Sequence, residues 1–307
     1  MTNAQKSLSS RAWIELLMLG IVWGGVFLAA RLALNEVGVL TAVAHRTFWA
    51  AIVLWIAVLA MRLPVPRDPK VWAAFAVMGL LNNVVPFTLL NWSQLYIESG
   101  LASIFNATTA VFGVVVAAIF FADESLTARK AFGVSVGFLG VAVAIGLESF
   151  RSFDVTSVAQ LAALGATLSY AFAGAWARKR LSGLAPQVNA AGMVTCAALF
   201  ILPAAWMMDG PFQLTLAPVT WGALIYLSVV ATAGAYLLYY RVLDMAGSGN
   251  LMLVTLLIPP LAIVLGTLVL DEALPPNAFL GFGLLALGLL ILDGRIFRLR
   301  IARNTPG

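Results

Sequence analysis

Charge is what this 307-residue chain has least of: 10% of its residues are charged, 18 Lys or Arg against 13 Asp or Glu, and histidine occurs once. A soluble domain carries about 25% charged residues, so this chain lacks the polar surface to coat a globule, and the soluble enzyme classes are excluded. Cys196 is the single cysteine, which rules out an internal disulfide. One histidine is too few for a dedicated metal cage, so no metal site and no cofactor is expected. There is no HExxH zinc motif, no phosphate-loop lysine motif and no Gly-x-Ser-x-Gly elbow. A membrane Ser/His hydrolase would need a partner for His45, and no motif supplies one.

Apolar sequence is what the chain has in excess, at 62% of residues. Charges and turn residues divide it into ten runs, near 13–33, 40–61, 71–92, 97–121, 128–147, 157–177, 187–208, 218–240, 248–270 and 275–293. Most are about 20–24 residues long, roughly 30–36 Å of helix, which spans a hydrocarbon core with some tilt. Their continuous hydrophobicity does not suit the alternating strands of a membrane barrel. The run 12–30 exceeds the apolar stretch of a signal peptide, so it reads as the first helix, not a leader. The expected fold class is therefore an all-α polytopic membrane protein with ten transmembrane helices, its partners the lipid bilayer and a small-molecule substrate.

A pI near 9.7 would suit nucleic acid, but the basic residues sit in short clusters between apolar runs and read as membrane topology, with no nucleic-acid partner. With the N-terminus inside, fifteen Lys and Arg fall on the cytoplasmic side, and only Arg31, Arg46 and Arg151 lie toward the other. Both termini are expected to be cytoplasmic, in a bacterial-type inner membrane.

The chain also repeats itself. Asp123-Glu124-x-Leu126-x6-Gly133-x5-Leu139-Gly140 recurs 148 residues later as Asp271-Glu272-x-Leu274-x6-Gly281-x5-Leu287-Gly288. Five helices per copy is an odd number, so the second copy enters the membrane from the opposite side, giving two inverted five-helix repeats. The organisation expected is a cytoplasmic segment 1–12, a first repeat 13–147, an outer linker 148–156, a second repeat 157–294 and a basic cytoplasmic tail 295–307. Locally, an Asp-Glu pair before a helix reads as an N-cap.

Several motifs resemble the drug/metabolite transporter superfamily, specifically its EamA-type permeases. They are Trp23-Gly24-Gly25-Val26-Phe27 with Arg31, His45-Arg46-Thr47, Gly100-Leu101-Ala102-Ser103 running to Asp123-Glu124, and Gly249-Asn250 through Pro259-Pro260 to Asp271-Glu272. The aromatic-rich segments look most like bacterial exporters of aromatic and other neutral amino acids. The resemblance implies a transporter, not an enzyme, and implies export as the direction.

The intramembrane residues supply the candidate site. All 13 carboxylates lie at or near helix ends or in loops, so the midplane carries none. Glu15 is the partial exception, but it stands about 6 Å past Arg11 at helical rise, which suits an interfacial position. His45 and Arg46, a turn and a half into the second helix, read either as an outer gate and carboxylate attractor or as a structural clamp to backbone carbonyls or Glu98. Glu15, His45, Arg46, Pro259 and Pro260 are thus the gating or coupling candidates. In the third helix, Pro86 frees the carbonyl of Asn82 four residues back, beside Asn83. Ser103 and Asn106 share a face of the fourth helix, and Thr255 lies beside the proline pair of the ninth. Trp23 and Tyr170 sit too near mid-helix for an interfacial belt, and Tyr236 and Tyr239 add a further aromatic group. These ten, Trp23, Asn82, Asn83, Pro86, Ser103, Asn106, Tyr170, Tyr236, Tyr239 and Thr255, are the expected substrate-binding residues.

A polar, uncharged midplane predicts a neutral or zwitterionic solute, amino acids including aromatic ones, exported by alternating access between the repeats down the substrate gradient. A monomer suffices for this. The alternatives are a proton-coupled exporter of hydrophobic or cationic drugs and, from other classes, a membrane receptor or an intramembrane enzyme.

Overall fold

The computed structural model describes residues 9–146, 154–251 and 253–293, excluding the side chains of 247–250. The expectations for residues 1–8, for most of the linker 148–156, for the tail 295–307 and for the Asn250 side chain lie outside these. Among the described residues there are ten helices and no strand. They are α1 (Ser10–Ala33), α2 (Val39–Ala60), α3 (Pro69–Ser93), α4 (Ser99–Phe120), α5 (Ala128–Ile145), α6 (Val155–Arg180) and α7 (Pro186–Met208). Then come α8, in three consecutive pieces (Pro218–Ile225, Tyr226–Gly234, Ala235–Leu251), α9 (Val254–Leu270) and α10 (Pro276–Asp293). Nine are long and apolar enough to cross a bilayer, and α9 is a shorter apolar helix of 17 residues. The expected ninth run began at 248, but α8 stays helical through Leu251 and takes up its first residues.

Local chemistry fixes the helix starts. Ser9, Asp68, Thr127 and Asp154 each accept a bond from a first-turn N–H, at Ala12, Lys70, Lys130 and Ser157. The N-cap of α5 is therefore Thr127, not the Asp123-Glu124 pair, and α10 starts five residues past Asp271. The acidic pairs lie too far upstream to cap their own helices; they reach across to the other repeat instead.

The packing has the symmetry expected of a duplication. Helices α5 and α10 run along each other, as do α2 with α7 and α4 with α9, each the counterpart of its partner. The contact of α1 with α9 is mirrored by α6 with α4, that of α1 with α8 by α6 with α3, and that of α2 with α8 by α7 with α3. Glycine makes the α5–α10 seam. A Cβ on Gly140 would fall 2.5 Å from the Leu285 nitrogen, and one on Gly288 2.6 Å from that of Gly137. The two backbones are in direct contact, as small residues permit between membrane helices. Outward faces are covered by large apolar side chains such as Ile119, Met207 and Leu268, all strongly exposed in the isolated chain. A broad apolar exterior of this kind is unfavourable in water and fits lipid.

The two ends of the bundle differ. On the face carrying Asp271, carboxylates of one repeat bond backbone N–H groups of the other. Asp209 accepts from Thr41 N at 2.7 Å, Glu36 from Ala217 N at 2.9 Å, and both Glu272 oxygens from Ser99 N. Each lies at a helix N-terminus, where negative charge is favoured. On the face carrying Asp123, the repeats meet through ion pairs. Arg178 bonds Asp123 at 2.5 Å and Glu124 at 3.5 Å, and Arg241 bonds Glu15 at 2.6 Å.

Candidate functional site

The middle of the bundle is opened by a change of helical register in two corresponding helices. In α3, residues Leu80–Val84 form a π-turn, and Val85 N bonds Leu80 O five residues back. In α8, residues Tyr226–Gly234 do the same. The register decides which carbonyl Pro86 frees. In α-register it would be that of Asn82, as the sequence suggests; in π-register the missing donor belongs to Leu81, five residues back. The structure shows that carbonyl taken by another helix: Ser169 Oγ on α6 donates to Leu81 O at 2.7 Å. The opposite repeat has the matching bond, Trp23 Nε1 on α1 to Ala231 O in the α8 π-turn at 3.3 Å. Each repeat's first helix thus holds a carbonyl in the widened third helix of the other.

This arrangement makes a testable double-mutant cycle. Ser169→Ala leaves a buried carbonyl unsatisfied and is expected to cost about 1–3 kcal/mol. Pro86→Ala restores an N–H five residues beyond Leu81, so adding it to Ser169→Ala is expected to recover part of that loss. Thermal melting in detergent measures both, and strict additivity of the two changes would show that the proline and the serine are not linked through Leu81.

Arg46 stands between the two opened helices. It is only 8% exposed, its Nε donates to Thr232 Oγ1 at 2.9 Å, and its guanidinium carbon lies 3.7 Å from the centre of the Phe87 ring. Thr232 in turn donates to Leu227 O, five residues back in the π-turn. The side chains of Tyr170, Tyr226 and Tyr236 lie in the neighbourhood of Arg46. Glu98 is not its partner, and among the described residues no carboxylate comes within ion-pair distance of it. Its two terminal nitrogens make no hydrogen bond among the described residues. An arginine in a membrane helix costs up to about 2.5–3.5 kcal/mol, the full amount at the helix centre, and Arg46 is the eighth of the 22 residues of α2. The Phe87 face offsets about 2 kcal/mol of that, and the cation is left able to take an anion.

The expected polar residues divide around this point. Asn82 and Asn83 both donate to the Tyr236 hydroxyl, at 3.0 and 3.2 Å, and Asn83, fully buried, keeps its Oδ1 without a partner. With Arg46 and Tyr170 these form one cluster, and half-buried Trp23 meets Tyr239 beside it in a tilted contact, 5.8 Å between ring centres. Pro86 is buried at the α3 register change. Ser103 instead bonds Gly100 O in its own helix. Asn106 adjoins the α4 break at Ala107–Thr108. Thr255 lines a separate cleft of about 360 Å³ between α4, α9 and α10, with Glu124, Lys130 and Asp293 at its rim. Helix α9 passes through Pro259-Pro260 without a register change.

The remaining gating candidates also have definite surroundings. Glu15 is buried and paired with Arg11 and Arg241 at one end of the bundle. His45 faces away from Arg46: its Nδ1 accepts from Trp49 Nε1 at 3.2 Å, and Phe212 and Trp221 meet it edge-on. Sequence reasoning missed Ser169, Tyr226 and Thr232. Tyr226 reaches the site because Gly25 leaves room: a Cβ there would collide with its hydroxyl, which donates to Val22 O at 2.7 Å. Outside the membrane spans, Arg178 holds the Asp123 carboxyl below the usual range, and the Thr220 side chain and Ala217 N–H do so for Glu36. Both stay charged at neutral pH, and their bonds weaken only as pH falls below the ordinary carboxylate range.

The EamA-like transporter family matches this chain twice, over residues 11–146 and 157–292. A "probable terminal-alkyne amino-acid exporter" of Streptantibioticus cattleyicolor is 29% identical over 98% of this chain and 99% of its own length. A "probable amino-acid metabolite efflux pump" of Escherichia coli is 24% identical over 95% of this chain and 97% of its own. A solved crystal structure 19% identical in sequence superposes with a TM-score of 0.68 over 94% of this chain and 99% of that one, and so shares the fold.

Proposed function

We propose that this chain, which belongs to the EamA-like transporter family, exports small zwitterionic metabolites, amino acids including aromatic ones. The observation that carries this reading is the cluster of Arg46, Asn82, Asn83, Tyr170 and Tyr236 at mid-depth, where the widened helices of opposite repeats meet. Hydrogen-bonding groups and a cation there suit the polar end of an amino acid, and Phe87, Trp23 and Tyr239 suit its side chain. Two relatives whose names refer to amino-acid export support the same class. The face carrying Asp123 is cytoplasmic in this reading, because it gathers the lysines and arginines. The membrane is a bacterial-type inner membrane, and the repeats rock about the central cluster to expose it alternately. The proton-coupled drug exporter is the weaker reading, since Glu15 is tied up by two arginines away from the cluster.

Counterflow with the purified protein in liposomes tests this. Vesicles preloaded with unlabelled phenylalanine, leucine or tryptophan are expected to take up the labelled form transiently, with no gradient of protons or Na⁺. Failure of every amino acid to exchange, in protein that melts cooperatively, would overturn the proposal.

A further inference from the structure

We propose that Arg46 is a carboxylate subsite, so that a transported solute must carry a free carboxylate while an ammonium group is dispensable for binding there. This rests on the exporter reading and sharpens it. Three observations carry it. First, Arg46 is nine-tenths buried, and its only hydrogen bond among the described residues uses Nε. The Nη1 and Nη2 pair, whose parallel N–H bonds match the two oxygens of a carboxylate, has none. Second, Thr232 and Phe87 fix the guanidinium from two sides, at 2.9 Å and 3.7 Å. A planar fork held in place binds a planar anion with little further ordering. Third, Tyr236 accepts from both Asn82 and Asn83, which leaves its own O–H free to donate. A donor of that kind beside a guanidinium favours an anion, not a cation. The purely structural alternative is that Arg46 only ties α2 to α8 through Thr232.

The test separates these readings by chemistry. Four competitors of labelled phenylalanine counterflow share one ring: phenylalanine, 3-phenylpropionate without the ammonium, phenethylamine without the carboxylate, and phenylalaninamide. Phenylpropionate is expected to compete, and the amine and amide to be weaker by at least about tenfold, since a site built to bond a group rejects analogues that lack it. Arg46→Lys is expected to keep this preference at lower affinity, and Arg46→Gln to lose it. Equal competition by amide and acid in the unmodified protein, which needs no variant to fold, overturns the proposal. So does discrimination that survives in Arg46→Gln. Thermal stabilisation of the detergent-solubilised protein by phenylpropionate but not by phenethylamine supports the subsite without any transport. If no amino acid exchanges while that selective stabilisation is seen, the exporter reading fails and the subsite stands; if neither acid nor amine stabilises the protein, the subsite fails.

Discussion

Asn83→Asp is expected to fold as well as the unmodified protein and to transport zwitterions at least about tenfold more slowly. Asn83 is fully buried, bonded to Tyr236 through Nδ2, with its Oδ1 unpartnered. The substitution changes volume little and adds a carboxylate to the cluster that holds Arg46. Opposite charges sharing such a cluster attract, by about 4 kcal/mol at about 4 Å and an effective dielectric near 20 and by less at larger separation. The new carboxylate therefore takes the role of the substrate's, holding the cation in a closed internal pair and repelling a second anion. Removing a free buried cation also favours the folded state, so the melting temperature is expected to hold or rise while counterflow falls. Asn106→Asp makes the control: it adjoins the α4 break and shows no bond into the cluster, so its effect on transport is expected to be smaller. A stable Asn83→Asp protein that exchanges phenylalanine at the original rate would remove Asn83 from the anion-binding shell.

That prediction depends on features of unequal visibility in the sequence. The helices and their duplication were legible because lipid imposes length and hydrophobicity on every span, and because Asp123-Glu124 and Asp271-Glu272 carry a long shared pattern. The job of those acidic pairs was not legible. Glu272 meets Ser99, 173 positions away in the chain, and Arg178 meets Asp123 across the two repeats. Depth misled for Arg46. Counted from the start of its helix it lies toward the outer end, and only the neighbouring π-turns of α3 and α8 make its surroundings the centre of the site. A π-turn has no compositional signature of its own, since it is a choice of hydrogen-bond register. Pro86 announced a free carbonyl but not which one, and the answer moved from Asn82 to Leu81 when the register changed. Ser169 had one usable signal, its near-equivalence to Trp23 under the repeat spacing.

Cross-linking the two repeats at the end of the bundle that carries Asp123 is expected to abolish transport completely and reversibly. Asp123 and Arg178 belong to opposite repeats and are in contact, and both side chains are substantially exposed. An exposed ion pair of this kind contributes at most about 1 kcal/mol, so thermal motion can break it and the pair is suited to part and re-form in each cycle. The opposite face is held differently, by Asp209, Glu36 and Glu272 on the N-terminal N–H groups of α2, α8 and α4. Alternating access requires each set to release while the other holds. Asp123→Cys with Arg178→Cys, in a Cys196→Ala background, loses the bonds of Arg178 to Asp123 and Glu124 and its contact with the Phe121 ring, all weak exposed interactions, and is expected to exchange amino acids at near the original rate. A short cleavable bifunctional thiol reagent then ties the ends of α6 and the α4–α5 loop together, and exchange is expected to stop until the linker is reduced. Reaction of the two thiols with a membrane-impermeant reagent added from outside the cell would reverse the assigned orientation. Full exchange by the cross-linked protein would mean that these ends never separate, and that the cluster around Arg46 is reached by another route.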